Sequence, residues 1–127
     1  MIGTYRRSWN ARPESVGLPR TTPKSDYWAT DPNGIGQIGC IYTAQGFEFD
    51  YVGVIWGADL VYRASEGGWV GVKAASHDPA VKRATSENFV NLIKNTYRVL
   101  LTRGMKGCFL YFLDAETREF VESRLLS

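Results

Sequence analysis

Histidine, cysteine and long apolar runs are all scarce in this sequence, and each shortage removes a class of function. The single histidine, His77, lies in a polar stretch, so a histidine-based metal site or catalytic triad has no basis and a surface position accounts for it. The two cysteines, Cys40 and Cys108, stand far apart inside apolar runs. That is neither zinc-ligand spacing nor a disulfide framework, and it reads as buried free thiols in a reducing compartment. No stretch approaches the roughly 18 apolar residues that a membrane helix needs. The start carries Arg6 and Arg7 with no apolar run behind them, unlike a signal peptide. The expectation is a cytoplasmic protein with no membrane partner.

An excess of charge of either sign is also lacking. The net charge of +2 is too small to indicate nucleic acid by itself. All of the excess falls in residues 1–34, where Arg6, Arg7, Arg12, Arg20 and Lys24 face Glu14, Asp26 and Asp31. Such an arm has the charge to touch phosphates; a solvated, flexible arm is the simpler reading. Two motif absences matter more. No G-x-x-x-x-G-K-[ST] occurs, so no loop cradles the β- and γ-phosphates of a nucleotide, and no apolar strand ends in Asp-Glu to hold magnesium. The chain is not a complete P-loop ATPase.

What remains is an ordinary globular composition, 44% hydrophobic and 22% charged over 127 residues, enough for one domain with a core. Residues 1–34 hold Pro13, Pro19, Pro23 and Pro32 with Trp9, Tyr27 and Trp28, and read as an irregular segment that packs over a core through its aromatics. Residues 35–127 read as the domain proper. Gln37 to Tyr42, Tyr51 to Trp56 and Cys108 to Leu113 are short, continuous apolar runs, the pattern of strands covered on both faces. Leu60 to Arg63 and Trp69 to Lys73 flank Glu66-Gly67-Gly68 and suggest an inserted hairpin. Asp78-Pro79 offers a cap and first residue for a short helix.

The clearest helix carries Phe89, Leu92, Ile93, Tyr97, Leu100 and Leu101 on one face. Ser86 is its expected N-cap and Gly104 its left-handed terminator. A last helix from Ala115 to Leu126, capped by Asp114, is expected to bury Phe120, Val121 and Leu125. Strands alternating with helices indicate an α/β domain with a mainly parallel sheet flanked by helices.

Two weaker signals point elsewhere. Gly34-Ile35-Gly36-Gln37-Ile38-Gly39 matches the dinucleotide fingerprint, but it follows a turn and enters a strand, whereas pyrophosphate binding needs a strand-to-helix turn. Glu48 and Asp50, with Asp59 and Lys73 recruited, are the residue types of a magnesium-dependent nuclease. Nothing in their spacing requires it, and a polar end before a strand is the plainer reading.

Two segments stand above this background. One runs from Thr43-Ala44-Gln45-Gly46-Phe47-Glu48-Phe49-Asp50 into Tyr51 to Ile55. The other runs from Asn95-Thr96-Tyr97-Arg98-Val99-Leu100-Leu101-Thr102-Arg103-Gly104 to Gly107. They resemble motifs V and VI of superfamily 1 helicases and, more narrowly, the C-terminal part of the Schlafen-group-3-like DNA/RNA helicase family. The resemblance covers roughly residues 35–57 and 87–113.

It implies a partial RecA-like fold, the second helicase subdomain of a nucleic-acid-dependent ATPase. ATP and Mg2+ would belong to the intact enzyme, with neither expected on this chain alone. Arg103 would be the catalytic arginine finger, Gly46 and Glu48 would lie beside the nucleotide, and Thr43 and Gln45 would meet DNA or RNA. The missing N-terminal RecA-like domain would be the partner. Two departures from the pattern stand out: Tyr42 occupies a position that is commonly histidine, and Arg98 one that is often aromatic. The alternative is a non-enzymatic module that binds nucleic acid or protein.

Overall fold

Alternation along two strands organises the centre of the molecule. The computed structural model describes residues 3–12 and 14–127, so Pro13 and the first two residues lie outside the description. In chain order the elements are β1 (Ser8–Trp9), β2 (Gln37–Ile38), α1 (Ile41–Ala44), β3 (Phe49–Trp56), β4 (Leu60–Arg63), β5 (Gly68–Gly71), α2 (Pro79–Lys82), α3 (Ser86–Leu101), β6 (Gly104–Phe112) and α4 (Ala115–Leu125). β3 and β6 pair in parallel, in register from Tyr51 opposite Gly107 to Trp56 opposite Phe112. Successive side chains point to opposite faces, so Val52, Val54 and Trp56 share one face with Cys108, Leu110 and Phe112. That face joins the core.

Helix α3 covers it. Phe89, Ile93 and Tyr97 recur every fourth residue and are all buried, Phe89 to 1% exposure. Full burial of side chains this size contributes about 1.5–3 kcal/mol each. Leu92 falls off the buried stripe and stays 43% exposed. The cap is Thr85, one residue earlier than expected, because its oxygen accepts from the Asn88 amide at 3.4 Å and leaves Ser86 as the first helical residue.

Gly104 does not take the left-handed conformation expected of it; the positive-φ glycines among the described residues are Gly3, Gly17, Gly46 and Gly67. It opens β6 at a bulge, where the register slips between Phe49 and Tyr51. A Cβ there would lie 2.2 Å from the Gly107 carbonyl oxygen, so lack of space accounts for the glycine.

β4 and β5 form the expected antiparallel hairpin, turning through Gly67 at φ +73°. α4 docks against it through Thr117, which is fully buried: its hydroxyl accepts from the Tyr62 amide at 3.0 Å and donates to Asp114. Asp114 caps α4 by accepting from the Thr117 amide and also takes both terminal nitrogens of Arg63, at 2.9 and 2.8 Å. Phe120 stacks on Tyr62 and is partly buried, whereas Leu125, expected in the core, is 73% exposed. The helix reaches past the hairpin that would cover it.

The first expected strand is interrupted. Only Gln37–Ile38 is extended, and it pairs in parallel with β1. Cys40 then caps the single turn α1, because the Thr43 hydroxyl accepts from the Cys40 amide at 2.9 Å. In the N-terminal segment Trp28 packs edge-to-face on Phe49 and donates its indole N–H to the Gln37 carbonyl at 3.3 Å, while Trp9 and Tyr27 remain exposed. Trp28 also explains two of the three glycines that imitate a dinucleotide fingerprint, Gly34 and Gly39. A Cβ on Gly34 would collide with the Trp28 backbone oxygen, and one on Gly39 with its indole ring.

The described residues thus form a mixed α/β fold with short parallel sheets and an antiparallel hairpin, compatible with a partial RecA-like domain. No helix among them is long and apolar enough to cross a membrane.

Candidate functional site

The two sequence segments singled out above meet in space at the start of the β3–β6 pair. α1 ends at Gln45, whose backbone turns extended, and Gly46 follows at φ +82°. Nothing lies within 4 Å of where a Cβ on Gly46 would sit. This glycine is therefore needed for its backbone conformation, and its open side leaves room for close approach. Phe47 closes the loop by donating its amide to the Ala44 carbonyl at 3.2 Å, and Glu48 stands exposed before β3.

Arg103 arrives at this loop from the end of α3. Its Nε donates to the Val99 carbonyl at 3.0 Å, Nη1 to the Phe47 carbonyl at 3.2 Å and Nη2 to the Thr102 hydroxyl at 3.2 Å. The Phe49 amide donates back to the Arg103 carbonyl at 2.8 Å. The guanidinium is held by neutral oxygens, and among the described ion pairs it has no carboxylate partner. A fully charged group with no internal counter-ion keeps its attraction for an external anion. Glu48 makes no hydrogen bond to Arg103; the Phe47 carbonyl holds the arginine instead. A backbone oxygen leaves no mark in the sequence, and that contact was not legible there.

Of the two residues expected to meet nucleic acid, Gln45 is exposed at the loop. Thr43 is buried, its hydroxyl shared between the Cys40 amide and the Cys40 carbonyl at 2.9 and 3.0 Å. Tyr42, the departure from histidine, donates its phenol to Asp78 at 2.7 Å and so ties α1 to the cap of α2. That carboxylate, helped by partial burial, raises the Tyr42 pKa.

Tyr97 anchors the second segment from within. Its hydroxyl donates to Asp59 at 2.8 Å and accepts from the Gly57 amide at 2.7 Å. Burial, reinforced by the Asp59 charge, pushes the phenol pKa well above its ordinary value. The bond pins α3 to the chain just beyond β3, and thereby fixes where the helix delivers Arg103.

The nuclease set does not assemble. Asp50 pairs with Lys106 at 2.9 Å, Asp59 is engaged by Tyr97, and Lys73 donates to the Ala84 carbonyl. Among the described residues no three of histidine, cysteine, aspartate and glutamate converge as a metal site would require.

With that geometry in place, comparison with known proteins is direct. Residues 1–114 match the family described as Schlafen group 3, DNA/RNA helicase domain. The chain belongs to this family, and the match takes in the N-terminal segment as well as both motif segments. An uncharacterized protein of Saccharomyces cerevisiae, YPL245W, is 32% identical over 112 residues, covering 82% of this chain and 24% of that protein. The chain thus spans about a quarter of the length of the curated relative it matches. No solved structure matches it.

Proposed function

We propose that this chain is the second RecA-like part of a nucleic-acid-dependent ATPase and supplies one side of its nucleotide site. The observation that carries the reading is the Arg103 guanidinium, free of carboxylates and held by the Phe47 carbonyl between Gly46 and Glu48. These residues fit one side of ATP. Arg103 is the cation for developing phosphoryl charge, the Glu48 carboxylate suits a ribose hydroxyl, and the open side of Gly46 admits a ligand close to the backbone. ATP with its Mg2+ supplies the phosphoryl group and the metal charge when bound; the loop gripping those phosphates is absent from this chain and belongs to a partner RecA-like half. Gln45 meets the nucleic-acid strand, and Thr43 acts behind it by holding the turn of α1.

The partner half is supported by the bare face of the β3–β6 pair. Tyr51, Phe109 and Tyr111 are 60%, 69% and 53% exposed on it, whereas parallel strands are normally covered on both faces. The family supports nucleic acid as a ligand class and leaves DNA and RNA equally open.

ATP turnover tests the proposal, measured for this chain alone and joined to a phosphate-binding half, each with and without single-stranded nucleic acid. The chain alone should be inactive. The joined protein should turn over ATP and lose about 10³-fold or more on Arg103→Ala, the scale of a lost arginine finger. Turnover by the chain alone, or indifference to Arg103, would sink the reading.

A further inference from the structure

Away from Arg103, α3 borders a second feature: a cavity of about 270 Å³ between this helix, the end of β3 and the hairpin. Its aromatic floor is Trp56, Trp69 and Tyr97, and Lys94 and Arg98 stand beside it. The Trp56 and Tyr97 rings stack in parallel with centroids 4.1 Å apart, and Trp69 stacks on Trp56 at 5.6 Å. The polar handles of the two buried rings are already used: the Trp56 indole donates to the Leu60 carbonyl at 2.8 Å, and the Tyr97 hydroxyl is held by Asp59 and Gly57. Trp56 and Tyr97 are themselves buried, so the ring surface that the cavity offers is that of the half-buried Trp69.

Lys94 and Arg98 lie four residues apart on one helix, where like charges repel. Neither has a carboxylate partner among the described ion pairs; Arg98 donates to the neutral Asn95 side chain at 3.0 Å. Among the described residues no acid lines the cavity, and Asp59, on the segment beyond β3, accepts from Tyr97. An anion bridging the two cations would relieve that repulsion. The cavity lies just below the roughly 300–1,000 Å³ typical of sites for drug-sized ligands, a size suited to one base.

We propose that this cavity binds a nucleotide unit of a single nucleic-acid strand, its base against Trp69 and its phosphate at Lys94 and Arg98. Aromatic stacking beside a cationic track is how single strands are held without sequence preference. The proposal rests on the reading above only for the class of ligand; the site is separate from Gln45 and Arg103.

Amide and indole NMR of this chain tests it, titrated with a short oligothymidylate, an abasic strand of equal length and thymidine monophosphate. The oligothymidylate should shift the Trp69 indole N–H together with the Lys94 and Arg98 amides. The abasic strand should bind roughly tenfold weaker or worse, within the range for losing a stacked base. Lys94→Glu with Arg98→Glu should cost a similar factor and lower the salt dependence by about one to two phosphate contacts. Lys82→Glu with Arg83→Glu should change neither.

Strand binding that leaves Trp69 unshifted, or that ignores the base or the two cations, would overturn the site while leaving the nucleic-acid reading standing. Equal affinity for the mononucleotide would overturn the strand as occupant. Absence of any strand binding would remove both.

Discussion

The two faces of the β3–β6 pair are similarly apolar and are treated in opposite ways. On one, Val54 and Trp56 are buried under α3 with Leu110 and Phe112 packed beside them. On the other, Tyr51 tilts against Phe109 at 6.2 Å and both stay open to solvent. Hydrophobicity therefore does not distinguish the face that holds this chain together from the face left for something else. The difference lies in what packs across the strands, and α3 can cover only one side. The inner face carries stability; the outer face is the one that the proposed function assigns to a partner half.

The comparison can be pushed hardest from the inside. Phe89→Ala removes a ring that is only 1% exposed and should destabilise the chain by about 3–5 kcal/mol. Urea denaturation followed by tryptophan fluorescence would measure it; a loss near that of a surface substitution would mean the inner face is not the core.

A smaller effect is expected at α4, which braces the hairpin. The Arg63 guanidinium, then Thr117, hold the Asp114 carboxyl well below the usual carboxylate range. A lowered folded pKa stabilises the fold above the unfolded value, about 3.9, and the gain fades as pH falls through that value towards the folded one. Asp114→Ala should cost about 1 kcal/mol at neutral pH through the lost cap, and the gap to the parent should narrow in acid. Asp114→Asn keeps a capping oxygen and should cost less. A gap that widens below about pH 4 would contradict the sign.

The smallest effect should come from the outer face. Phe109→Ser and Tyr111→Ser should each alter the stability of this chain by no more than about 0.5 kcal/mol, while weakening association with a phosphate-binding half. Thermal melts of the chain and pull-down with that half separate the two effects. A large loss in the chain alone would make the outer face part of its own core.

Much of this was legible in the residues. The fourfold recurrence of Phe89, Ile93 and Tyr97 located α3, and the apolar runs from Tyr51 and Cys108 located the two strands that pair. The runs did not reveal that one face is bare, because continuous apolarity reads the same whether or not a layer lies above it. The glycines were misleading for a related reason: Gly34, Gly39 and Gly104 give way to a tryptophan or a carbonyl distant from or just beyond them in the chain, and sequence spacing records no such crowding. At the candidate site, Gly46 and Arg103 were visible as motif residues, but the Phe47 carbonyl that joins them was not. Lys94 and Arg98 were visible as charges, yet only the packing of Trp56 and Trp69 beside them makes a cavity.

The bulge after Gly104 sets the phase of everything downstream of Arg103. Between the pairings of Phe49 with Gly104 and Tyr51 with Gly107, β6 spends three steps where β3 spends two. The bulge absorbs that odd residue and keeps Cys108 turned inward; unabsorbed, it would slip the register by one position and exchange the faces of β6. Deleting Met105 would equalise the two paths, remove the bulge and leave Cys108 opposite Val52 and facing inward. The chain thus carries a half-step adjustment between Arg103 and its core, and the bulged backbone of that short stretch, rather than the exposed residue filling it, keeps β6 in phase.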